Sequence, residues 1–99
     1  MNVSAITVPN PPAAQTTTYQ SMVTIPADAN VYGITADDNG DVKLAFLSVN
    51  ATPTKTWRAD LIPMGASVDD LVAVSGVYGP AVWPDGIVRV VALIDPDLI

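Results

Sequence analysis

The sequence predicts an all-β protein, a small sandwich or barrel of about seven mostly antiparallel strands with an extended N-terminal arm. Three observations lead to this class. Fourteen valines and nine threonines supply the β-branched side chains that strands favour. Nine prolines and six glycines divide them into short runs. All ten acidic residues are aspartate, which prefers turns and caps, whereas glutamate, a helix former, does not occur.

Alternating apolar and polar residues predict the first three strands. Residues 19–25 form a strand that stops at a proline, and residues 31–36 form the second. The chain then turns through residues 37–41, where Asn39-Gly40 is a strong hairpin signal because glycine accepts the positive φ that such turns require. Residues 42–49 return antiparallel to the second strand.

Four further segments complete the predicted fold. Residues 55–61 alternate between two faces of a strand. Residues 67–74 fit either a short helix or the entrance of a strand, and the strand is preferred. Residues 77–83 and 87–94 are joined by a Pro-Asp-Gly turn. Because the last strand is almost continuously apolar, we expect it to be covered on both faces or to be central in a closed barrel.

The predicted core consists of side chains on the inward faces of these strands. Trp57 belongs to it because it alternates with Ala59 and Leu61. Trp83 precedes Pro84 at a turn and is instead a candidate for exposure. The sequence predicts burial of Val42, Leu44, Phe46, Trp57, Leu61, Val90 and Ala92.

The chain divides near Tyr19 into an arm and a body. Residues 1–18 carry no charged or aromatic side chain and contain Pro9-Asn10-Pro11-Pro12, which predicts an extended, flexible N-terminal arm. Residues 19–99 hold every charge and form the compact β domain. We expect the arm to be disordered in the isolated protein and to lie against a neighbouring subunit, although a frayed terminus is the alternative. Since proline lacks an N–H, backbone pairing in the arm is restricted to about residues 3–8 or 13–18.

Composition excludes several classes of function. With no cysteine, the chain forms neither disulfides nor thiolate metal sites. A net charge of −6 argues against nucleic acid and anionic membranes as partners. Its apolar runs are far shorter than the ~20 residues of a membrane-spanning helix. The N-terminus lacks the basic and apolar regions of a secretory signal, so we expect the protein to stay in the compartment where it is made.

No pattern of residues predicts catalysis, a cofactor or a metal. Histidine, cysteine and glutamate are missing, and the serines therefore have no base to activate them. The alternate oxygens of Asp37, Asn39 and Asp41 suit Ca²⁺, but the glycine position and the missing glutamate depart from the calcium-loop pattern. A solvated hairpin loop is the preferred interpretation. Arg58 and Arg89 are expected to pair with aspartates rather than to bind a ligand.

Three features of the sequence together resemble one family of proteins. The features are the uncharged arm from Pro9 to Thr18, the strands separated by proline and glycine, and the apolar end from Ile87 to Ile99. The chain resembles the small structural proteins of tailed-phage virions, especially capsid decoration (cement) proteins, in architecture rather than in a motif. The resemblance implies a β body that sits as a trimer or other oligomer on a capsid, with an arm that orders on binding. A small head–tail or tail protein fits the same description.

The sequence therefore predicts a non-enzymatic structural subunit of a virion, made in the host cytoplasm, which binds protein subunits and forms a homo-oligomer. The alternatives are a small ligand-binding β module, for instance one that binds carbohydrate on a fibre or surface protein, and an unassigned interaction domain. Candidate partner-binding residues are the apolar anchors of the arm and of the C-terminus: Val3, Ile6, Val8, Leu98 and Ile99.

Overall fold

The structure is a computed structural model that describes residues 2–8, 18–48, 52–65 and 71–99. These residues are mostly β. A short 3-10 helix, Pro96–Leu98, follows the last strand. In chain order the strands are β1 (Asn2–Val8), β2 (Tyr19–Pro26), β3 (Asn30–Ala36), β4 (Val42–Ser48), β5 (Thr54–Pro63), β6 (Val74–Val82) and β7 (Val88–Ile94). Within the described ranges, no helix is long and apolar enough to cross a membrane.

The strands form two antiparallel sheets. One has the order β1-β4-β3 and the other the order β2-β5-β7-β6. The all-β prediction is confirmed, as is the antiparallel pairing of residues 31–36 with the next strand, which the structure describes up to Ser48. Of the ambiguous segment 67–74, residues up to 70 lie outside the described part. The rest enters β6 only at Val74, after three residues without strand structure.

The β3–β4 hairpin shows why its sequence turns where it does. Asp37 Oδ1 accepts hydrogen bonds from the backbone N–H groups of Asn39 and Asp41, at 2.9 and 3.0 Å. Gly40 has a φ of 84°, a left-handed conformation that glycine adopts without strain. The turn lies where the sequence predicted it, with Gly40 in the left-handed conformation, and the carboxylate of Asp37 adds hydrogen bonds that were not predicted from the sequence.

The N-terminal strand corrects the predicted division of the chain. Residues 2–8 form β1, which pairs with β4 of the same chain from Asn2↔Ser48 to Val8↔Val42. These residues therefore belong to the fold of the body, so the boundary at Tyr19 is misplaced for them. The described pairing extends to Val8, within the range of residues 3–8 in which pairing was expected. Residues 9–17, the remainder of the predicted arm, lie outside the described residues.

One hydrophobic cluster joins the two sheets. It combines β4 side chains with those of β2, β5 and β7. Of the predicted core, five residues are buried, and the exceptions are Trp57 and Val90, which are half-buried. Trp83, a candidate for exposure, is 3% exposed and belongs to the cluster. The buried residues of the cluster are Val23, Ile25, Val31, Val42, Leu44, Phe46, Ala59, Leu61, Trp83, Val91 and Leu93.

Strand β7 is buried on both faces, as its continuous apolar sequence predicted. It lies between β5 and β6. Val91 and Leu93 belong to the shared cluster, whereas Ala92 and Ile94 are fully buried outside it. The prediction that Val90 and Ala92 face the shared core is therefore wrong about the face. An uninterrupted apolar run has no alternation that would assign its two faces.

Candidate interaction surface

Strand β6 is the edge of its sheet and exposes several apolar side chains. Val74, Val77 and Val82 are 39%, 55% and 63% exposed, and Val72, just before the strand, is 56% exposed. The surrounding sequence, residues 71–84, contains no charged side chain. Edge strands in proteins usually carry charges that discourage association. This uncharged edge, which we call the β6 edge (residues 72–82), is the first part of the candidate surface.

A groove lies beside the β6 edge, where β6 faces β3. It has a volume of about 400 Å³, within the usual range of ligand sites. β3 is the edge of the other sheet, so the groove follows a seam between two sheet edges. The described residues that line it are uncharged. They include Val31, Tyr32, Ile34, Val77, Tyr78 and Pro80.

Both strands are irregular where they line the groove. In β3, Val31 pairs with Phe46 and Gly33 with Ala45, so Tyr32 is an extra residue. This bulge lets Val31 and Ile34 both pack toward the core while Tyr32 stays 56% exposed. In β6, the register shifts between Tyr78 and Ala81. Because both ladders are interrupted, the groove presents side chains rather than a regular strand edge.

The ring of Tyr78 lies over Gly76. A Cβ atom on residue 76 would collide with the phenol end of Tyr78, including its hydroxyl oxygen. The missing side chain at Gly76 therefore allows the ring to lie along the strand, where it forms one wall of the groove. By contrast, a Cβ on Gly33 would meet Ala45 at an ordinary 3.7 Å.

The predicted partner-binding residues fall at two places. Leu98 and Ile99 are 72% and 64% exposed after the 3-10 helix. The chain before them is anchored to the start of β6, because the Asp95 N–H donates to the carbonyl of Ala73 at 2.9 Å. The C-terminal pair therefore follows a residue fixed beside the exposed Val72 and Val74.

The other three predicted anchors belong to β1. Their backbones lie opposite β4, with Val3 paired to Leu47, Ile6 to Leu44 and Val8 to Val42. These positions are part of the chain's own sheet, which places the three residues away from the groove and at the opposite edge from β3. The structure does not gather the five predicted anchors into one site.

The arginines form ion pairs with aspartates, as predicted. Arg58 Nε lies 2.9 Å from Oδ1 of the fully buried Asp60. Arg89, 1% exposed, binds Asp85 at 2.9 Å and lies over the ring of Trp83, 5.3 Å from its centroid. The hydrogen bond from Arg89 lowers the pKa of Asp85 below its usual value. These pairs lie at strands and turns, where they stabilise the fold.

A further ion pair fixes the C-terminal segment. Lys55 Nζ lies 2.7 Å from Asp95 Oδ2 and 3.3 Å from Asp97 Oδ2. The hydrogen bond with Asp95 raises the pKa of Lys55, and the same bond lowers the pKa of Asp95. Lys55 also lies 4.9 Å from the centroid of the Trp57 ring. In the described part of the chain, no three acidic, cysteine or histidine side chains are grouped as metal ligands would be.

Sequence reasoning missed Tyr32 and the β6 edge. A signal for the edge was present, because residues 71–84 form a long stretch without a charge in a chain whose net charge is −6. The groove had no sequence signal, since it depends on two bulges in strands far apart in the chain. Comparison with protein-family models, curated proteins and solved structures finds no match to this chain.

Proposed function

We propose that this protein is a non-enzymatic structural subunit of a larger assembly, and that the assembly is a virion in which it acts as a capsid decoration or similar protein. The observation that carries the proposal is the β6 edge, where Val74, Val77 and Val82 project apolar side chains to solvent. Contiguous exposed apolar side chains on one strand are typical of interaction surfaces.

The position of the β6 edge supports protein partners in particular. A charge-free edge strand in an acidic chain is the part of the surface that a neighbouring subunit approaches with the least electrostatic and desolvation cost. The exposed C-terminal Leu98 and Ile99 extend the apolar area near the start of β6. The net charge of −6 opposes nucleic acid and anionic membranes as alternatives.

The finer features of the proposal follow from this surface. The two sheets act as a small sandwich of about seven strands that presents the β6 edge. The protein forms a homo-oligomer, and the resemblance to decoration proteins implies a trimer. It works in the virion without a cofactor. Part of residues 1–18 contacts neighbouring subunits.

A second candidate function is a ligand-binding β module, including one for carbohydrate. The groove between β3 and β6 favours it, because Tyr32 is half-exposed there and aromatic rings bind sugar rings by stacking. The volume of about 400 Å³ is sufficient for a small ligand.

Charge insertion at the β6 edge tests the first proposal. The Val74→Lys/Val82→Lys variant alters two exposed side chains outside the groove lining. Its matched control is Thr24→Lys/Thr54→Lys, which adds the same charge at exposed positions of β2 and β5. Light scattering after size exclusion should give an oligomer for the wild type and the control, and a smaller mass for the β6 variant. Equal masses for both variants would contradict the proposal.

A further inference from the structure

We infer that the groove between β3 and β6 binds the segment Pro9-Asn10-Pro11-Pro12 of a second copy of this chain, so that one subunit docks on the next in a head-to-tail manner. The inference rests on the proposed assembly function and names the contact that would link the subunits.

The chemistry of the groove favours a proline-rich occupant. Tyr32 and Tyr78 line it together with Pro80, Val31 and Val77. Grooves lined by aromatic residues bind proline-rich segments, because proline rings pack on aromatic rings and the extended segment has little conformational entropy to lose. The Tyr78 ring is held along its strand over Gly76, and the Tyr32 ring is half-exposed. The two rings thus contribute aromatic surface to the groove.

The irregular strands oppose the alternative mode, in which a peptide adds as a further strand. Strand addition requires a regular row of backbone donors and acceptors. Tyr32 interrupts the β3 ladder and the register shift after Tyr78 interrupts that of β6. Pro80 supplies no N–H at all. An occupant that is recognised through side-chain packing, as a proline-rich segment is, fits such a groove better than a strand does.

Charge also matches the groove to this segment. The described lining is uncharged, and residues 1–18 carry no charged side chain, although the chain as a whole has a net charge of −6. Docking of this segment therefore buries no charged side chain within the groove.

The topology assigns the segment to a second copy rather than to the same molecule. Residues 9–18 connect β1 to β2, which are edge strands of the two sheets. The groove lies at the opposite edges, formed by β3 and β6. The two ends of the segment and the groove therefore lie at opposite edges of the sheets. Their contact between copies is heterologous, and contacts of this kind generate rings or open chains of subunits.

A peptide titration tests the inference. The probe is a synthetic peptide of residues 7–15 with blocked termini, and its control has alanine at all three prolines. The protein is the full chain with Pro9→Ala, Pro11→Ala and Pro12→Ala, so that its own segment does not compete. NMR chemical shifts should change at the groove, at Tyr32 and Val77 among others. The alanine peptide should bind at least about tenfold more weakly, since loss of an anchor contact costs about this much.

Two substitutions, made in the protein that already carries the three proline replacements, test whether the peptide binds in the groove. Tyr32→Ala should weaken peptide binding about tenfold or more, whereas Met22→Ala, at a position of similar exposure on β2, should leave it unchanged. Gly76→Ala should also weaken binding, because the new Cβ displaces the Tyr78 ring. Circular dichroism verifies that each variant is folded.

The inference would be overturned by equal binding of the alanine peptide, by unchanged peptide binding to the Tyr32→Ala variant, or by shifts confined to residues outside the groove. Shifts at the groove caused by a neutral oligosaccharide, with no binding of the peptide, would also overturn it and assign the groove to a sugar. The assembly function is tested separately. If the wild-type chain forms oligomers that persist when the three prolines are replaced, the inference fails and the proposed function stands. A wild type that is monomeric at all concentrations contradicts the proposed function itself.

Discussion

Arg89 reaches back across the turn between β6 and β7 to Asp85, with its Nη2 atom 2.9 Å from Oδ2 of the carboxylate. The Arg89 side chain is 1% exposed, whereas that of Asp85 is 40% exposed, so the pair connects the interior to the turn. Asp85 Oδ1 also accepts a hydrogen bond from the backbone N–H of Ile87 at 2.9 Å. One carboxylate thus orders the turn and balances a buried charge.

Replacement of this carboxylate should destabilise the protein. Loss of one partner from a buried ion pair costs about 3–5 kcal/mol, and the exposure of Asp85 reduces the effect, so we expect Asp85→Asn to cost about 1–3 kcal/mol. Urea denaturation measures the change. Asp38→Asn, at an exposed position of the β3–β4 turn, is the control and should cost less than about 0.5 kcal/mol. Equal losses in the two variants would show that Asp85 does not stabilise Arg89.

The same pair predicts how stability depends on pH. The pKa of Asp85 is lowered in the folded protein by the hydrogen bond from Arg89, and that of Asp95 by the hydrogen bond from Lys55. Each carboxylate therefore contributes stability that is complete above the unfolded-state pKa of about 3.9 and is lost as the pH falls through the lower folded-state value. The free energy of unfolding should fall on acidification below about pH 4, and less steeply in Asp85→Asn. Identical acid dependence in both proteins would contradict this.

The two tryptophans should contribute unequally to stability. Trp83 is 3% exposed within the shared cluster, so Trp83→Ala should cost about 3–5 kcal/mol. Trp57 is only half-buried, so Trp57→Ala should cost about 1–3 kcal/mol. Denaturant unfolding of both variants compares them. A larger loss for Trp57→Ala would show that the order of burial is wrong.

Removal of β1 should destabilise the body, because β1 is part of its sheet. Deletion of residues 1–8 removes the β1 partners on one side of β4 along its whole length, while the pairing of β4 with β3 remains. Since each hydrogen bond contributes about 1 kcal/mol net, the deletion should cost more than about 2 kcal/mol and leave β4 as an unprotected edge. Thermal unfolding and light scattering measure the loss of stability and the aggregation. An unchanged melting temperature would instead support an arm independent of the body.

The sequence predicted those parts of the fold that local chemistry determines. The β3–β4 hairpin depends on Asp37 and Gly40, which act within five residues of one another. The inward position of Trp83 depends on the bulge after Tyr78, which makes Ala81 and Trp83 face the core and turns Val82 outward. A regular alternation from Tyr78 predicts the reverse.

The candidate surface was predictable only in part. The prolines limited the predicted pairing of the N-terminal segment to about residues 3–8 or 13–18, and β1 spans Asn2–Val8. The strand with which this segment pairs is determined by long-range contacts, and that strand is β4 of the same chain. The exposure of Leu98 and Ile99 follows from their terminal position. Tyr32 and Tyr78 line one groove only because β3 and β6 lie beside each other at the edges of two sheets, and no spacing along the chain encodes that arrangement.

The mass of the wild-type protein in solution tests the central proposal of assembly most directly. Sedimentation velocity over a series of micromolar concentrations measures it, at neutral pH and moderate salt. We predict a species whose mass is a multiple of the 10.3 kDa chain and whose fraction grows with concentration. A single species of 10.3 kDa at every concentration would contradict the proposal that the uncharged β6 edge binds neighbouring copies.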